Sequence, residues 1–199
     1  FRLMELGDTR NPMLQALITK ARGTYSHTIM VAELAEKACR AIGANDRLAR
    51  VGALYHDIGK MDQSEYFVEN QRGVEYPHDS LKPGMSASIL KGHLKKGIEK
   101  AEQMRLPQEV VDIIGEHHGN GIIYGFYSKA KDLDPNVTKE DYSYPGNPPS
   151  SKESAVVMLA DTVEAACHTL EDPSVPRLTK FIHELVLGKV NHGQLDNAN

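Results

Sequence analysis

At 199 residues with 40% hydrophobic content and two cysteines, the chain is long enough to bury a sizeable core without disulfides or structural zinc. Its net charge of −4 argues against a surface that coats nucleic acid, which would present a basic face to the phosphates. No polymeric nucleic acid is therefore expected as a partner, and a phosphate-bearing ligand would need a local attraction. No apolar run reaches the roughly 18 residues that span a bilayer, and no signal peptide is evident, so the chain as given reads as soluble. Its start at Phe1 rather than Met points to a domain excised from a longer protein.

In chain order, apolar residues Met30, Val31, Leu34, Ala35, Ala38, Cys39 and Ile42 recur at helical spacing, predicting a helix over 24–42 that Gly43 stops. Asn45 is placed to cap a second helix running through Leu48, Val51 and Leu54 to about Gly59, which puts His56 and Asp57 in its last turn. Residues 61–83 are irregular and suited to walling a pocket. Further helices are expected over 85–93, 97–104 and 107–117, the last with Pro107 at its first position. Residues 131–151, broken by Pro135, Pro145, Gly146, Pro148 and Pro149, read as a long loop. Ser150 and Glu153 make a capping-box pattern ahead of a helix over 154–170, and a last helix covers 178–190. The whole reads as one all-α domain over residues 1–199. Cys39 and Cys167 form no CxxC pair and are expected to be reduced, as in the cytosol.

Chemistry concentrates in His56-Asp57-Ile58-Gly59-Lys60, where an imidazole and a carboxylate are adjacent at a helix end. A His-Asp pair alone is modest evidence, and His78-Asp79 is a second one that reads as a surface turn or a supporting contact. The first pair gains weight from its company: His27 on the preceding helix, His93, the pair His117-His118, and Asp161 after five apolar residues. A carboxylate in such a run is costly to bury unless a cation or hydrogen bonds compensate. His117 and His118 would point about 100° apart on a helix, so they either serve neighbouring sites or share one centre through a relaxed turn. Tyr66, Phe67, Asn70 and Tyr127 are candidates to stack on or hydrogen-bond a purine, although core packing accounts for aromatic residues more often and none of the four is singled out.

The set His27, His56-Asp57 and Asp161 resembles the four-ligand signature of HD-superfamily phosphohydrolases, and the addition of His93 and His117-His118 resembles the binuclear subset. More closely, GTYSHTIMVAELAE, RVGALYHDIGK, YFVENQ, PHDSLKP, LPQEVVDIIGEHHG, FYSKA and KESAVVMLADTVEAA resemble the cytoplasmic HD domain of the seven-transmembrane HD family, over most of residues 23–170. The resemblance implies that His27, His56, Asp57 and Asp161 hold one divalent transition-metal ion. His93, His117 and His118 would hold a second, with Asp57 bridging. Imidazole and carboxylate donors suit first-row metals better than magnesium, and the family leads to manganese or iron. It further implies a phosphodiesterase that hydrolyses cyclic di-AMP to pApA by metal-activated hydroxide, from the cytoplasmic face of a membrane-anchored parent, with a homodimer compatible. Lys60 is then a catalytic candidate, neutralising phosphate charge; the plainer reading is a salt bridge to a nearby carboxylate.

Other readings are a phosphodiesterase for cyclic di-GMP, a mononuclear nucleotidase, and a nucleotide-binding signalling module without turnover. The cyclic di-GMP branch places a glutamate and then Gly-Tyr-Pro after the paired histidines, whereas His117-His118 run here into Gly119-Asn120-Gly121. A mononuclear enzyme needs no His93 or paired histidines, and a dead module should have lost at least one ligand.

Overall fold

The computed structural model describes residues 2–73 and 75–199, and among these no β-strand occurs. The all-α expectation holds. Two helices precede those read from the sequence: α1 (Arg2–Leu6) and α2 (Pro12–Lys20). Asn11 caps α2 by accepting from Met13 N, Pro12 sits at its start, and Leu14 and Leu17 are fully buried.

Helix α3 (Arg22–Ile42) ends where expected, at Gly43 with φ 71°. Its buried stripe is Val31, Ala32, Ala35 and Cys39, whereas Met30, Leu34 and Ile42 are exposed. Helix α4 (Asp46–Tyr55) is capped by Asn45, whose side chain accepts from Leu48 N. It stops before Gly59: His56 is its C-cap and the chain tightens into a 3-10 helix over Ile58–Tyr66. Gly59 makes this possible, because a Cβ there would lie 1.9 Å from the His93 carbonyl oxygen. The segment to residue 83 continues in short 3-10 turns, Val68–Asn70 and Pro77–Ser80.

One helix, α5 (Pro83–Gln103), replaces the two expected over 85–104. Gly97 does not break it, since the missing side chain makes room for Ile114 and for the backbone of Gly59. Pro107 precedes α6 (Gln108–Glu116) as an extended residue instead of occupying its first position. Helix α7 (Tyr124–Leu133) takes the start of the stretch read as loop. The rest of that stretch folds back on the chain after α6, with an antiparallel bridge between Ile122 and Ser143 and a buried Tyr142.

Helix α8 (Lys152–Cys167) is capped by Ser151, one residue from the expected box. Ser150 bonds Glu116 through both its backbone N and its hydroxyl, and Glu153 accepts from Asn45 N. Helix α9 (Val175–Asn191) closes the chain, longer than expected at its N-terminus. Leu14, Leu17, Val31, Leu54, Tyr55, Ile58, Ile113, Ile114 and Val157 share one core, on which α3 packs against α4 and α8 while α5 packs against α6 and the 3-10 helix. Burying each large apolar side chain stabilises the fold by about 1.5–3 kcal/mol. Cys39 and Cys167 are both free thiols. No helix of the described residues is long and apolar enough to cross a membrane.

Candidate metal centre

Asp57 occupies the junction between α4 and the 3-10 helix, and its two carboxylate oxygens face different neighbours. Oδ2 lies 3.2 Å from His56 Nε2 and 3.8 Å from His27 Nε2, while Oδ1 lies 3.4 Å from both His93 Nε2 and His117 Nε2. Asp161 on α8 completes the first side, with Oδ1 2.8 Å from His27 Nε2 and 3.5 Å from His56 Nε2. The structure thus brings the expected residues together as two four-membered groups that share Asp57. In one, donor atoms of His27, His56, Asp57 and Asp161 lie within 4.8 Å of one another; in the other, those of Asp57, His93, His117 and His118 do. The groups come from different packing units, α3, α4 and α8 against α5 and the end of α6, and Gly59 packed on α5 is what brings Asp57 to His93.

The imidazoles are aimed by their far nitrogens. Nδ1 of His56, His93 and His117 each donates to the carbonyl three residues earlier, Ala53, Leu90 and Ile114. That contact makes Nδ1 the donor and leaves Nε2 pointing inward. His27 is held through Nδ1 by Glu164 on α8, which His168 also contacts. Helix α6 ends at Glu116, so His117 and His118 lie on its exit turn with ring centroids 4.2 Å apart, and both fall in one group. Of the two arrangements open to this pair, the relaxed turn is the one adopted.

Electrostatics set the halves apart. Burial would raise Asp57 and Asp161, yet both carboxyls are held well below the usual range, Asp57 by His56 and Lys60 and Asp161 by His27 and His56. Burial likewise opposes charge on His27 and His56, but the adjoining carboxylates outweigh it and lift them to about 9 and about 10. In the other half burial prevails, pushing His93 down to about 3 and His118 well below its ordinary value. One half therefore draws positive charge inward, and in the other His93 and His118 offer neutral nitrogen donors. His56 Nε2 and Asp57 Oδ1 are buried without a hydrogen-bond partner among the described residues, and Asp57 Oδ2 has the Lys60 ammonium at 2.8 Å. Orphaned atoms of this kind, in a mixed nitrogen and oxygen set, fit divalent transition-metal ions.

Lys60 is buried, with Nζ 2.8 Å from Asp57 Oδ2 and 2.9 Å from Glu69 Oε1, so the salt-bridge reading describes its contacts. It still faces the cleft of about 590 Å³ that opens on the centre, lined also by His27, Glu69, His118, Asp161 and Glu164. The purine-contact candidates are largely committed elsewhere. Asn70 bonds Thr24 and Ser64, Phe67 is buried under Lys60, Tyr127 packs near Tyr142, and Tyr66 meets His78. His78 is buried, bonding the Tyr66 carbonyl, so this second His-Asp pair is no surface turn.

Three residues of the site escaped the sequence reading. Glu164 was findable, since it follows Asp161 by three on one helix and so shares its face. Glu69 and Tyr144, which stacks on His118, come from irregular segments that carry no periodic signal.

The whole chain is similar to known proteins. It is 42% identical over 197 residues to the cyclic-di-AMP phosphodiesterase PgpH of Bacillus subtilis (strain 168), covering 99% of the chain and 28% of the relative. It is 42% identical over 193 residues to PgpH of Listeria monocytogenes serotype 1/2a (strain 10403S), covering 97% and 27%. The chain thus spans little more than a quarter of these curated relatives. Among solved structures, the L. monocytogenes PgpH HD domain in complex with cyclic di-AMP superposes with a TM-score of 0.92 at 41% identity, over 95% of this chain and 88% of that one. The HD domain family model matches residues 24–166, a stretch that begins just before His27 and ends just after Asp161. Since it encloses the entire constellation, and the fold around it is shared, the chain belongs to the HD domain family.

Proposed function

We propose that the chain is the catalytic domain of a metal-dependent phosphodiesterase that hydrolyses cyclic di-AMP to the linear dinucleotide pApA. The observation that carries this reading is the split carboxylate of Asp57, whose oxygens face two separate donor groups. His27, His56, Asp57 and Asp161 would hold one ion, and His93, His117 and His118 a second shared through Asp57, with manganese or iron suited to the donors. Such a pair of ions, when bound, supplies Lewis acidity toward a phosphodiester and a water acidic enough to act as hydroxide near neutral pH.

The remaining work falls to the chain itself. Glu164 and the carbonyls of Ala53, Leu90 and Ile114 keep the imidazoles in register. Lys60 keeps a positive charge beside Asp57, where it would offset charge building on a phosphate. The cleft of about 590 Å³ falls in the range that takes a drug-sized ligand. The adenine preference is supported by the relatives, which carry it in their names and, in one crystal structure, in the bound ligand. Residues 1–199 would act as one domain of a longer protein, since the relatives extend well beyond the matched region. Membrane anchorage, with this domain on the cytoplasmic side, belongs to the same proposal.

The test is side-by-side hydrolysis of cyclic di-AMP and cyclic di-GMP by metal-stripped protein resupplied with manganese, with products separated by chromatography. Preferential conversion of cyclic di-AMP to pApA is expected. Preference for cyclic di-GMP would overturn the substrate while keeping the chemistry, and inactivity on both with metal bound would make this a binding module.

A further inference from the structure

His118 differs from the other histidines of its group. His93 and His117 are anchored through Nδ1 by backbone carbonyls, and their side chains are 2% and 0% exposed. Among the described residues the His118 ring makes no hydrogen bond; its nearest charged partner is Asp161 Oδ2 at 4.0 Å, and the side chain is 24% exposed. An imidazole on a turn after a helix has two free torsions, and nothing polar holds these. What it does have is a flat neighbour: the Tyr144 ring lies parallel to it, with centroids 4.2 Å apart and planes 12° from parallel.

The segment that carries Tyr144 is fastened to the turn that carries His118. Tyr144 N donates to Gly121 O at 2.8 Å, and Ile123 N donates to Tyr142 O at 2.8 Å on the other side of the Ile122–Ser143 bridge. Gly146 packs so closely that a Cβ would lie 2.4 Å from Gly115 O and 2.7 Å from Gly119 O, both flanking the paired histidines. The ring of Tyr144 is thus fixed relative to the backbone of His118 by contacts before and after it.

We propose that Tyr144 is a positioning residue for the second metal site: its ring orients His118 by stacking, as backbone carbonyls orient His93 and His117. The inference rests on reading His93, His117 and His118 as ligands of one ion. A stacked aromatic pair is a modest interaction, and partners that orient a ligand change metal affinity by about ten- to a hundredfold. Loss of the ring should therefore weaken one manganese site by about tenfold and leave the His27, His56 and Asp161 site unchanged.

Manganese alone is titrated calorimetrically into the metal-stripped 199-residue chain, wild type and variants, with urea unfolding of each as a control. Wild type should bind two ions, and His118→Ala should lose or severely weaken one; if both proteins bind alike, the ligand reading fails. Given that loss, Tyr144→Ala and Tyr144→Leu should each weaken the same site by about tenfold, the leucine filling the volume without a flat face. Tyr144→Phe should bind as wild type does, because the ring and not the hydroxyl acts. Wild-type affinity at both sites in the leucine variant would overturn the proposal. Equal weakening in Tyr144→Phe would also overturn it, by moving the effect to the hydroxyl.

Discussion

Replacing Gly59 by alanine should separate the two halves of the centre while leaving every candidate ligand in place. The added Cβ would stand 1.9 Å from His93 O and 2.6 Å from Gly97 N, both backbone atoms of α5. Carbon–oxygen contacts settle near 3.3 Å, so the 3-10 helix and α5 would have to move apart by about 1.4 Å. Overpacking typically costs about 1–3 kcal/mol, and the upper end applies because neither colliding atom is the tip of a flexible side chain. With an m-value of about 3 kcal/mol per molar, 3 kcal/mol lowers the urea midpoint by about 1 M. The same displacement acts on the 3.4 Å separation between Asp57 Oδ1 and His93 Nε2. The group containing His93 should therefore lose its ion while His27, His56 and Asp161 keep theirs. Urea unfolding followed by circular dichroism and a manganese titration together read both effects. A variant with wild-type midpoint and two wild-type metal affinities would refute the reasoning, because the close approach would then not be what joins the halves.

Other substitutions act on single elements of the centre. Asp57→Ala should abolish turnover and reduce metal content at both sites, since one carboxylate faces both groups; full metal with full turnover would contradict bridging. Lys60→Ala should lower kcat by about a hundredfold with metal content intact, and loss of metal there would assign the lysine to structure through its pairs with Asp57 and Glu69. Glu164→Ala should weaken metal binding in the His27 group by about ten- to a hundredfold, as measured by titration against the same variant's unchanged second site.

Helix ends marked by one residue with one conformational job were legible in the sequence: Gly43 at positive φ and Asn45 as a cap lie where the pattern puts them. Helix α7 was not. It buries only Ala130 and mixes aromatics with lysines, so no period of 3.6 stands out. The gap left between the helices expected over 85–93 and 97–104 does not exist, and Gly97 inside the single helix has its reason in the close approach of Ile114 and Gly59. Ser150, three residues before Glu153, satisfies the box pattern, but the distant Glu116 takes its backbone N and hydroxyl, and Ser151 caps α8 instead. Taken singly, His27 and Asp161 did not stand out in the sequence; the resemblance to the HD-superfamily signature singled out the set that the structure gathers around Asp57. What lay beyond reach were partners donated by irregular segments, Glu69 and Tyr144, whose positions depend on how loops fold back.

The arrangement also predicts how metal should couple to stability. Asp57, Asp161 and Glu164 crowd three carboxylates around His27 and His56, and the chain alone compensates them with Lys60 and with protons drawn onto those imidazoles. The compensation is incomplete, for Lys60 reaches only Asp57 Oδ2, while Asp57 Oδ1 and His56 Nε2 remain without hydrogen bonds among the described residues. Ions bound here would tie α3, α4 and α8 to α5 and the exit of α6, an arrangement that the unfolded chain cannot reproduce. At a free metal concentration about a hundred times Kd, each site adds about 2.7 kcal/mol. For a chain of this length, about 2–4 °C of Tm accompanies each kcal/mol, so each ion should raise Tm by about 5–11 °C. Scanning calorimetry of chelator-treated protein with and without manganese reads this directly, and the Asp57→Ala variant should show almost none of the shift. An unchanged Tm in wild type under saturating manganese would mean that the ions, even if bound, do not join the helices that Asp57 brings together.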